Sequence, residues 1–528
     1  MAILSSTNVA VFCVISTLYV VYRFFGSKSK VLPLPPGPKP VPFIGNINDL
    51  PKPGVPEWDH WLKHKDLYGP ISSITVLGQT FVIVNDAEIT LEMLRDRAAI
   101  YSDRPATVFG GEMVGWKNVT VFLQYDETLK AHRKNIAKVA GSSVSVAAFD
   151  RVQEEEAAHF LLDVLDSPEN LFQHIRQEAA AVILRIVYGY TPERTENDPL
   201  VVLIREAMEA FSESSAPGQY LVDILPFLRY LPDWVPGTEF KRTARRIKKL
   251  LYRSVEEPYA FVRHQMRDNK AKTSFVSQSI DSVNIDEQME RIYKWSAGAM
   301  YGGGADTTVS SLMTFFLAMA LFPDVQRKAQ EEIDRVVGNK RLPVTADKEQ
   351  LPYIDAIVKE THRWHPVAPM AIPHCCTKDD VVRGYRIPKG AMVLPNTWWS
   401  THDPAIYPDP MTFRPERYLS TSTHTAEPDP RTWTFGYGRR VCPGRHVADN
   451  ALFMTIAQAL AVFNVQKPVE NGRVVEPDVQ FTPGVVSHPM PYRVSVKPRS
   501  EQCKELIQKI EQVYPWRESD AKVMESLF

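Results

Sequence analysis

Phe435-Gly-Tyr-Gly-Arg-Arg-Val-Cys442-Pro-Gly-Arg-His-Val-Ala448 is the stretch around which the chain is organised. It contains one cysteine, and an apolar segment typical of a helix, Val447 to Phe463, follows directly. Its glycines allow tight turns and close approach to a large flat group. A cysteine at the beginning of a helix lies near the positive end of the helix dipole, which favours the thiolate. The stretch therefore predicts a sulfur ligand for iron, with a buried structural cysteine as the alternative.

Five residues in this stretch have the spacing of the haem-binding signature of the cytochromes P450, which the chain therefore resembles: Phe435, Gly438, Arg440, Cys442 and Gly444. The resemblance implies haem b, with Cys442 as the metal ligand, and a thiolate that promotes O–O cleavage. It also implies the cytochrome P450 fold, which is mainly α with a small β-rich lobe and holds the haem between a long central helix and the cysteine loop. The resemblance covers Pro33 to about Pro498. In its motifs, the sequence resembles fungal monooxygenases of secondary metabolism.

The composition of the chain argues against several classes of protein. The 528 residues show no internal repeat or Gly/Ser linker after residue 50, which favours one large domain. Lys and Arg total 61 against 62 Asp and Glu, so nothing in the charge balance indicates a nucleic-acid partner. Five cysteines without C-x-x-C spacing argue against a disulfide framework and a structural zinc site.

The first 25 residues predict a membrane anchor. Val9 to Tyr22 is almost unbroken apolar sequence, and Arg23, Lys28 and Lys30 follow it. That pattern predicts a single N-terminal span with the rest of the chain in the cytosol. A cleaved signal peptide is the alternative, but no basic residue precedes the apolar core and no A-x-A site follows it. The resemblance to microsomal family members implies the endoplasmic reticulum membrane.

The domain boundaries follow from these features. Five prolines between Pro33 and Pro40 hold the backbone extended, as in the proline-rich hinge of microsomal members. We expect the anchor at residues 1–25, the hinge at 26–45, the haem-thiolate catalytic domain at 46–498 and a charged tail at 499–528.

A second motif lies inside a long apolar segment, from about Ile292 to Phe322, that otherwise predicts one buried helix. Gly302, Gly303 and Gly304 in a helix interior cost about 1 kcal/mol each relative to alanine. Close approach of a planar cofactor to Gly303, with local opening of the helix, would explain them. Asp306 and Thr307 follow as an acid and a hydroxyl suited to proton relay, and the resemblance assigns them this role.

A group of cations is predicted to hold the haem propionates. Family members carry Trp and Arg at the positions of Leu129 and Lys130 and a further Arg at 133, so Leu129 departs from the pattern while Lys130 and Arg133 keep the charge. The resemblance adds His374 and Arg440 to this group. A solvated helix face is the alternative for the lysine.

Glu360 and Arg363 lie three residues apart on a predicted helix, close enough for an ion pair. The resemblance ties them to Arg417 in a buried triad. Their expected role is structural, since the triad would fix the loop that leads to Cys442.

The segment from His365 to Ile372 interleaves apolar residues with prolines and predicts an extended strand, which the family turns toward the haem. The resulting candidates for substrate contact, each of which has plain core packing as its alternative, are Met300, Val367, Ala368, Met370 and Val485. An apolar lining implies an apolar or amphiphilic substrate.

Three functional hypotheses follow. The first is a monooxygenase that uses O2 and receives electrons from NADPH through a separate NADPH–cytochrome P450 reductase, with cytochrome b5 as a further possible partner. A separate reductase is implied because the chain has no evident G-x-G-x-x-G fingerprint. Its substrate would be a terpenoid, polyketide or indole intermediate of a fungal natural-product pathway. The alternatives are a reductase-independent haem-thiolate isomerase or dehydratase, and a non-enzymatic haem-binding protein, both of which the acid–alcohol pair disfavours.

Overall fold

The computed structural model describes residues 32–194, 197–215, 219–280 and 285–528. The predicted anchor at residues 1–25 lies outside these ranges, as does the first part of the hinge. The described part of the hinge packs on the β-rich lobe, where Ser73 N donates to Pro36 O at 2.9 Å and Arg386 N donates to Pro33 O at 2.8 Å.

The described part of the chain is mainly helical. Its α-helices are α1 Glu57–Tyr68, α2 Ala87–Leu91, α3 Ala98–Tyr101, α4 Glu127–Ala140, α5 Ser143–Ala147, α6 Asp150–Asp166, α7 Leu171–Tyr188, α8 Pro199–Ser215, α9 Leu221–Ile224, α10 Phe240–Arg267, α11 Phe275–Ile280, α12 Glu287–Leu321, α13 Pro323–Val336, α14 Pro352–Trp364, α15 Thr397–His402, α16 Arg431–Thr434, α17 Arg445–Val462, α18 Glu501–Gln508, α19 Ile510–Val513 and α20 Ala521–Leu527.

The strands of the described ranges form four small sheets. They are β1 Ile71–Val76, β2 Gln79–Val84, β3 His374–Cys375, β4 Asp380–Val382, β5 Tyr385–Ile387, β6 Met392–Pro395, β7 Phe463–Gln466, β8 Val469–Glu470, β9 Arg473–Val474 and β10 Ser495–Pro498. The largest sheet has the order β1-β2-β6-β3, in which β2 and β6 run parallel and the other neighbours antiparallel. This mainly helical fold with a small β-rich lobe confirms the expected fold class.

The long central helix α12 organises the core. Its 35 residues begin after Asp286, whose side chain accepts a hydrogen bond from Met289 N at 2.7 Å and caps the helix. It packs against α4, α7, α10 and α17, and its residues from 308 to 320 are buried. The helix α12 is therefore packed on several sides, and different parts of the interior lie on different sides of its middle.

The helix that carries Lys130 and Arg133, α4, extends from Glu127 to Ala140. One sequence expectation about local structure is wrong. Residues 366–373 form no strand: Ala371 N donates to Ala368 O at 2.9 Å in a tight turn, and Ala371 has a φ of 48°. Proline interruption leaves this segment with few ladder donors, which explains its irregular path.

The charged tail packs on the fold. Ile507 and Ile510 are buried in the core cluster around α12, and Trp516 stacks on His159 at 3.8 Å between ring centroids. Asp520 Oδ2 accepts hydrogen bonds from Thr191 N at 2.7 Å and Lys272 Nζ at 2.8 Å. The tail therefore connects the end of α7 with the loop before α11.

Within the described ranges, one helix is long and apolar enough to cross a membrane by length and composition. It is α12, most of which is buried inside the fold. The apolar composition of this helix is therefore explained by its burial in the core.

Candidate active site

The cysteine loop is closed by backbone contacts. Cys442 N donates to Phe435 O at 2.8 Å, and the loop ends where α17 begins. Gly438 has a φ of 50°, and a Cβ at this position would lie 2.4 Å from Leu94 O. Only glycine fits both requirements, so Gly438 allows the loop to press against the turn that contains Leu94. A Cβ on Gly444 would lie 4.0 Å from Cys442 Sγ.

The environment of the Cys442 thiol combines opposing effects. Burial raises its pKa, whereas the Gly444 amide and the guanidinium groups of Arg133 and Arg445 act to lower it. The helix-end effect predicted from the sequence is therefore present but smaller than the effect of burial. A bound metal cation deprotonates a coordinating thiol outright, so this sulfur is suited to act as a thiolate in partnership with a metal.

Two buried arginines lie beside this loop. Arg440 donates from Nε to Ser102 O at 2.6 Å and from Nη2 to Leu123 O at 2.5 Å, while its buried Nη1 has no hydrogen-bond partner in the described ranges. Arg104 donates from Nη1 to the carbonyl oxygens of residues 372 and 373, at 2.7 and 2.8 Å. Both guanidinium groups rely on neutral carbonyls, so they can still accept an anion.

Electrostatics supports the same conclusion. Burial and the nearby Arg440 together lower the pKa of Arg104 well below its ordinary value. Burial likewise lowers the pKa of Arg440 to about 10, although Asp103 opposes the shift. Desolvated cations that repel each other are costly unless an anion compensates them. A group with two carboxylates, such as haem, fits this cluster and the unpartnered Nη1.

The structure brings some of the predicted propionate residues into this region and leaves one outside. Arg133 lies within electrostatic range of Cys442. Lys130 is exposed and pairs with Glu127 at 2.7 Å, so it does not join the buried cations. His374 is buried, its Nδ1 lies 2.7 Å from Tyr101 O, and burial lowers its pKa far below the ordinary value. The neutral ring then presents Nε2 as an acceptor, which makes it a poorer partner for a carboxylate than the arginines.

The three glycines of α12 face different surroundings. A Cβ on Gly304 would lie 2.7 Å from Ile183, so this glycine permits close packing against α7. A Cβ on Gly302 would contact Met208 at 3.4 Å, and one on Gly303 would meet nothing within 4 Å. Gly303 therefore borders open space, where a planar group can approach the helix. The expected local opening of the helix is absent, since α12 is continuous.

Asp306 and Thr307 point to different sides of α12. Thr307 Oγ1 donates to Gly303 O at 2.7 Å, one turn earlier on the side that borders the open space. Asp306 Oδ1 lies 3.0 Å from His488 Nε2 and lines a separate cleft. Neighbouring helix residues are about 100° apart, which explains this divergence.

The triad residues meet in the interior. Glu360 Oε2 accepts from Arg363 Nε at 2.8 Å, and Glu360 Oε1 accepts from Arg417 Nε at 3.1 Å. Tyr418 Oη and the backbone N of Arg414 also donate to this carboxylate, at 3.0 and 2.7 Å. All three charged side chains are fully buried. The triad joins α14 to the chain that leads into the cysteine loop.

The candidate substrate contacts separate into four places in the fold. Val367 and Val485 pack against the same apolar cluster, which contains Phe109, Phe211 and Val486. Met300 belongs to a cluster with α7 and α8, and Met370 packs against the β-rich lobe. Ala368 is half-buried in the turn before Ala371. The structure therefore brings only Val367 and Val485 together.

Sequence reasoning missed several residues of this region. Arg104 gave no signal except its position directly before a proline, outside any helical charge pattern. The aromatic side chains Phe109, Trp116 and Phe122 come from an irregular segment that has no periodicity. His488 lies 182 residues from its partner Asp306, beyond the reach of any local pattern.

The comparisons with known proteins decide the family. A family model described as Cytochrome P450 matches residues 35–496. The chain belongs to the cytochrome P450 family. Cytochrome P450 monooxygenase claR of Ampulloclitocybe clavipes is 45% identical over 96% of this chain and 94% of that protein. Multifunctional cytochrome P450 monooxygenase af510 of Aspergillus fumigatus is 40% identical, over 94% and 95% respectively. O-methylsterigmatocystin oxidoreductase of Aspergillus flavus is 38% identical, over 96% and 95%.

This cytochrome P450 is thus an oxidoreductase of the monooxygenase class. When bound, haem-thiolate iron supplies O2 activation with electrons from a reductase. In the described ranges no group of three or more His, Cys, Asp or Glu side chains is arranged to hold a metal ion. A lone cysteine beside a buried cation cluster is the donor set that a haem needs, so the residues present fit the cofactor.

Proposed function

We propose that this cytochrome P450 is a membrane-bound monooxygenase that hydroxylates or epoxidises an apolar small molecule of a fungal natural-product pathway. Its substrate is a terpenoid, polyketide or indole intermediate, and its electrons come from NADPH through a separate reductase. The observation that carries the proposal is the half-buried Cys442 in a loop whose Arg440 has a buried Nη1 without a hydrogen-bond partner among the described residues. The names of the fungal relatives support the pathway class.

Two sets of residues would hold haem b in this proposal. Cys442 would supply the thiolate for the iron, and Phe435, Gly438 and Gly444 shape the loop around this cysteine. Arg440 and Arg104 would bind the propionates, with Arg133 close to the thiolate. Gly303 borders open space, where a planar group can approach α12.

Asp306 and Thr307 transfer protons in the proposed reaction. The Thr307 hydroxyl donates to Gly303 O on the side of α12 that borders the open space, and it would supply a short hydrogen-bonded step there. The Asp306 carboxylate takes protons from water in its cleft. Positioned acid–base groups of this kind contribute about 10²-fold or more to a rate.

The substrate is recognised mainly by shape. Val367 and Val485 line one wall together with Phe109 and Phe211, and the latter ring contacts Phe122 at 5.8 Å between centroids. Few polar groups face this cluster, and the Trp116 indole is already bonded to Ser214 at 2.8 Å. An apolar or amphiphilic molecule suits such a lining.

The reductase docks on the thiolate side. Lys134, Arg439 and Arg445 are exposed there, and none of them forms an ion pair with an acidic side chain of the described part of the chain. Unpaired cations of this kind steer an acidic partner surface. NADPH–cytochrome P450 reductase is the proposed partner, and cytochrome b5 is an additional electron donor.

The chain is held at the endoplasmic reticulum membrane by residues 1–25, with the hinge at 26–45 and the catalytic domain at 46–498 facing the cytosol. Large apolar side chains are exposed in the loop before α10, including Phe227, Tyr230 and Trp234. Alkaline carbonate extraction of microsomes tests the anchor. Retention in the pellet is expected, and release of the full-length chain would contradict it.

The test of the haem site is the carbon monoxide difference spectrum of dithionite-reduced microsomes. The parent is expected to give a strongly red-shifted Soret band, which Cys442→Ser removes. Cys503→Ser is the matched control, because this half-buried cysteine lies on α18. A red-shifted band that survives in Cys442→Ser would show that another group ligates the iron and would end the proposal.

A further inference from the structure

The turn at residues 482–488 is fastened to α12 on two successive helical turns. Ser310 Oγ donates to Ser487 O at 2.6 Å, and His488 lies against Asp306 one turn earlier. The turn is also tied to the segment after α14, since Ser487 N donates to Val367 O at 2.9 Å. This turn therefore has a fixed place between α12 and the apolar cluster.

The pair of Asp306 and His488 lies at the edge of a cleft of about 910 Å³. Residues of α7, α8, α12 and the 482–491 segment line this cleft. The two side chains are 21% and 23% exposed, and Asp306 Oδ1 lies 3.0 Å from His488 Nε2. The pair is thus accessible to water while it remains part of a defined structure.

The hydrogen bond has one direction when Asp306 is ionised. A carboxylate only accepts hydrogen bonds, so His488 Nε2 must carry the hydrogen. His488 Nδ1 forms no hydrogen bond with the described residues, and the ring lines the cleft. Nδ1 therefore faces water, and the imidazole connects that water to the carboxylate.

A cation of α7, Arg176, lies within electrostatic range of the Asp306 carboxylate. Burial lowers the pKa of Arg176, and the Asp306 carboxylate opposes that change, so the two groups attract each other. The other titratable side chains that line the cleft are His174, Arg194, Arg205 and Glu209, and His365 lies within electrostatic range of His488. The cation nearest to the acid, Arg176, comes from α7 and forms no ion pair within the described ranges.

We propose that His488 is a positioning residue for Asp306 that also passes protons to it from water in this cleft. The step is balanced: Nδ1 takes a proton from hydronium in the cleft, which becomes water, as Nε2 releases its own proton to the Asp306 carboxylate. The imidazole changes tautomer, Asp306 becomes neutral, and no electrons move. The inference rests on the proposed role of Asp306 in proton supply. It gives the turn at residues 482–488 a part in proton supply, in addition to the substrate contact expected for Val485.

The geometry explains why such a residue is needed. Asp306 and Thr307 are adjacent in sequence but face different sides of α12, and the Thr307 hydroxyl is bonded to Gly303 O. Protons must therefore come from the cleft and pass through the Asp306 carboxylate to reach the other side of α12. A carboxylate held by an imidazole in a fixed orientation is always ready to receive one.

The experiment compares full-length His488→Gln and His488→Leu with the parent and with Asp306→Asn. Each is assayed in microsomes with reductase and NADPH, without added substrate, for O2 consumption in H2O and D2O. The reaction O2 + NADPH + H⁺ → H2O2 + NADP⁺ needs protons. Reduction of the haem under carbon monoxide needs only an electron and serves as the internal control.

We expect Asp306→Asn and both His488 variants to slow O2 consumption by about tenfold and to increase the solvent isotope effect. Reduction under carbon monoxide should not change. His174→Gln is the matched control, because His174 lines the same cleft but contacts Ser167, at 2.9 Å from its backbone oxygen. It should behave as the parent.

A second readout does not depend on turnover. Thermal unfolding of the parent, Asp306→Asn, His488→Leu and the double variant reports whether the pair exists in solution. We expect the His488→Leu shift in the unfolding midpoint to shrink when Asp306 is already Asn. Additive shifts would overturn the pairing.

The outcomes separate the inference from the function on which it rests. If Asp306→Asn slows O2 consumption but neither His488 variant does, the proposal for His488 is wrong and the role of Asp306 stands. If His488→Gln is as fast as the parent while His488→Leu is slow, the proton-passing part is overturned. If Asp306→Asn itself has no effect, the proton relay of the proposed function fails, and this inference fails with it.

Discussion

Two acid–base networks in this protein use the same side-chain chemistry in different surroundings. Glu360 is fully buried with Arg363 and Arg417, whereas Asp306 and His488 are 21% and 23% exposed at the edge of a cleft. Glu360 receives hydrogen bonds from five donors on four residues. The only hydrogen bond to Asp306 within the described ranges comes from His488.

The difference shows how burial separates stability from chemistry. A buried charge is tolerated only when donors surround it, and it then holds one geometry. A half-exposed acid with a single partner contributes little to stability, but it can exchange protons with water. The triad therefore fixes the approach to the cysteine loop, and the cleft pair remains free to change its protonation.

Glu178 provides a third case between these two. It is buried on α7, where Oε1 accepts from Thr455 Oγ1 at 2.9 Å and Oε2 has no partner in the described ranges. Burial raises the pKa of this carboxyl to about 8. With one donor and no cation, a buried acid is protonated rather than ionised.

Loss of the triad acid should have the largest effect. Glu360→Ala leaves the buried Arg363 without a carboxylate and Arg417 with Glu427 alone, which should cost about 3–5 kcal/mol of unfolding free energy. We expect little haem-loaded protein, measured by the Soret absorbance per unit of chain. Glu331→Ala is the matched control, because Glu331 pairs with Arg327 on an exposed helix face and should cost less than about 1 kcal/mol. Equal losses of stability in Glu360→Ala and Glu331→Ala would mean that the buried acid contributes no more to stability than the exposed one.

Tyr418→Phe sharpens the comparison within the triad. It deletes a single donor to Glu360 Oε2 at 3.0 Å and leaves the arginines in place. A hydrogen bond to a charged group is worth about 1.5–3 kcal/mol, so the unfolding midpoint should fall by less than in Glu360→Ala. A midpoint equal to that of the parent would mean that the carboxylate does not need all of its donors.

Stability should depend on pH through Glu178. Its pKa is about 8 in the folded protein and near 4.5 when unfolded, so the folded state holds the additional proton between these values. This contribution is complete below about pH 4.5 and is lost as the pH rises to 8, by at most about 1.4 kcal/mol per pH unit.

Unfolding midpoints at pH 5, 6.5 and 8 test this dependence. Glu178→Gln should gain stability relative to the parent as the pH rises, because its amide cannot ionise. The exposed Glu505→Gln should show no such trend. Parallel curves for Glu178→Gln and the parent would place the carboxyl in an ionised state.

Asp306→Asn should have the smallest effect on stability. Because the pair is half-exposed, the unfolding free energy should change by less than about 1 kcal/mol, and haem content should equal that of the parent. A large loss of haem or of stability would mean that Asp306 belongs with Glu360 as a structural acid.

Local sequence was sufficient for several features. The spacing of Glu360 and Arg363 predicts that they share a helix face, and the structure brings them together with Arg417. The apolar segment around residues 292–322 predicts α12 to within five residues at its start. Such features depend on neighbours along the chain, whose geometry the backbone fixes.

Other features had no local signal. The strand expected at residues 365–372 is a turn, because prolines remove the donors that a sheet requires. Lys130 followed the charge pattern of the cofactor residues, yet it pairs with Glu127 at the surface. Arg104 occupies the buried position instead, since folding carries it beside Arg440.

The sequence by itself determined the chemical groups: one cysteine in a glycine-rich loop, an acid and an alcohol side by side, and a helix long enough to cross the core. Only the tertiary structure decided on which side of α12 these groups lie and which distant residues contact them. Helix phase sends Asp306 and Thr307 to different sides of α12, and packing brings His488 from 182 residues away to meet the acid. The reason is physical, because side-chain identity is local, whereas burial and hydrogen-bond partners depend on which distant segments the folded chain places together.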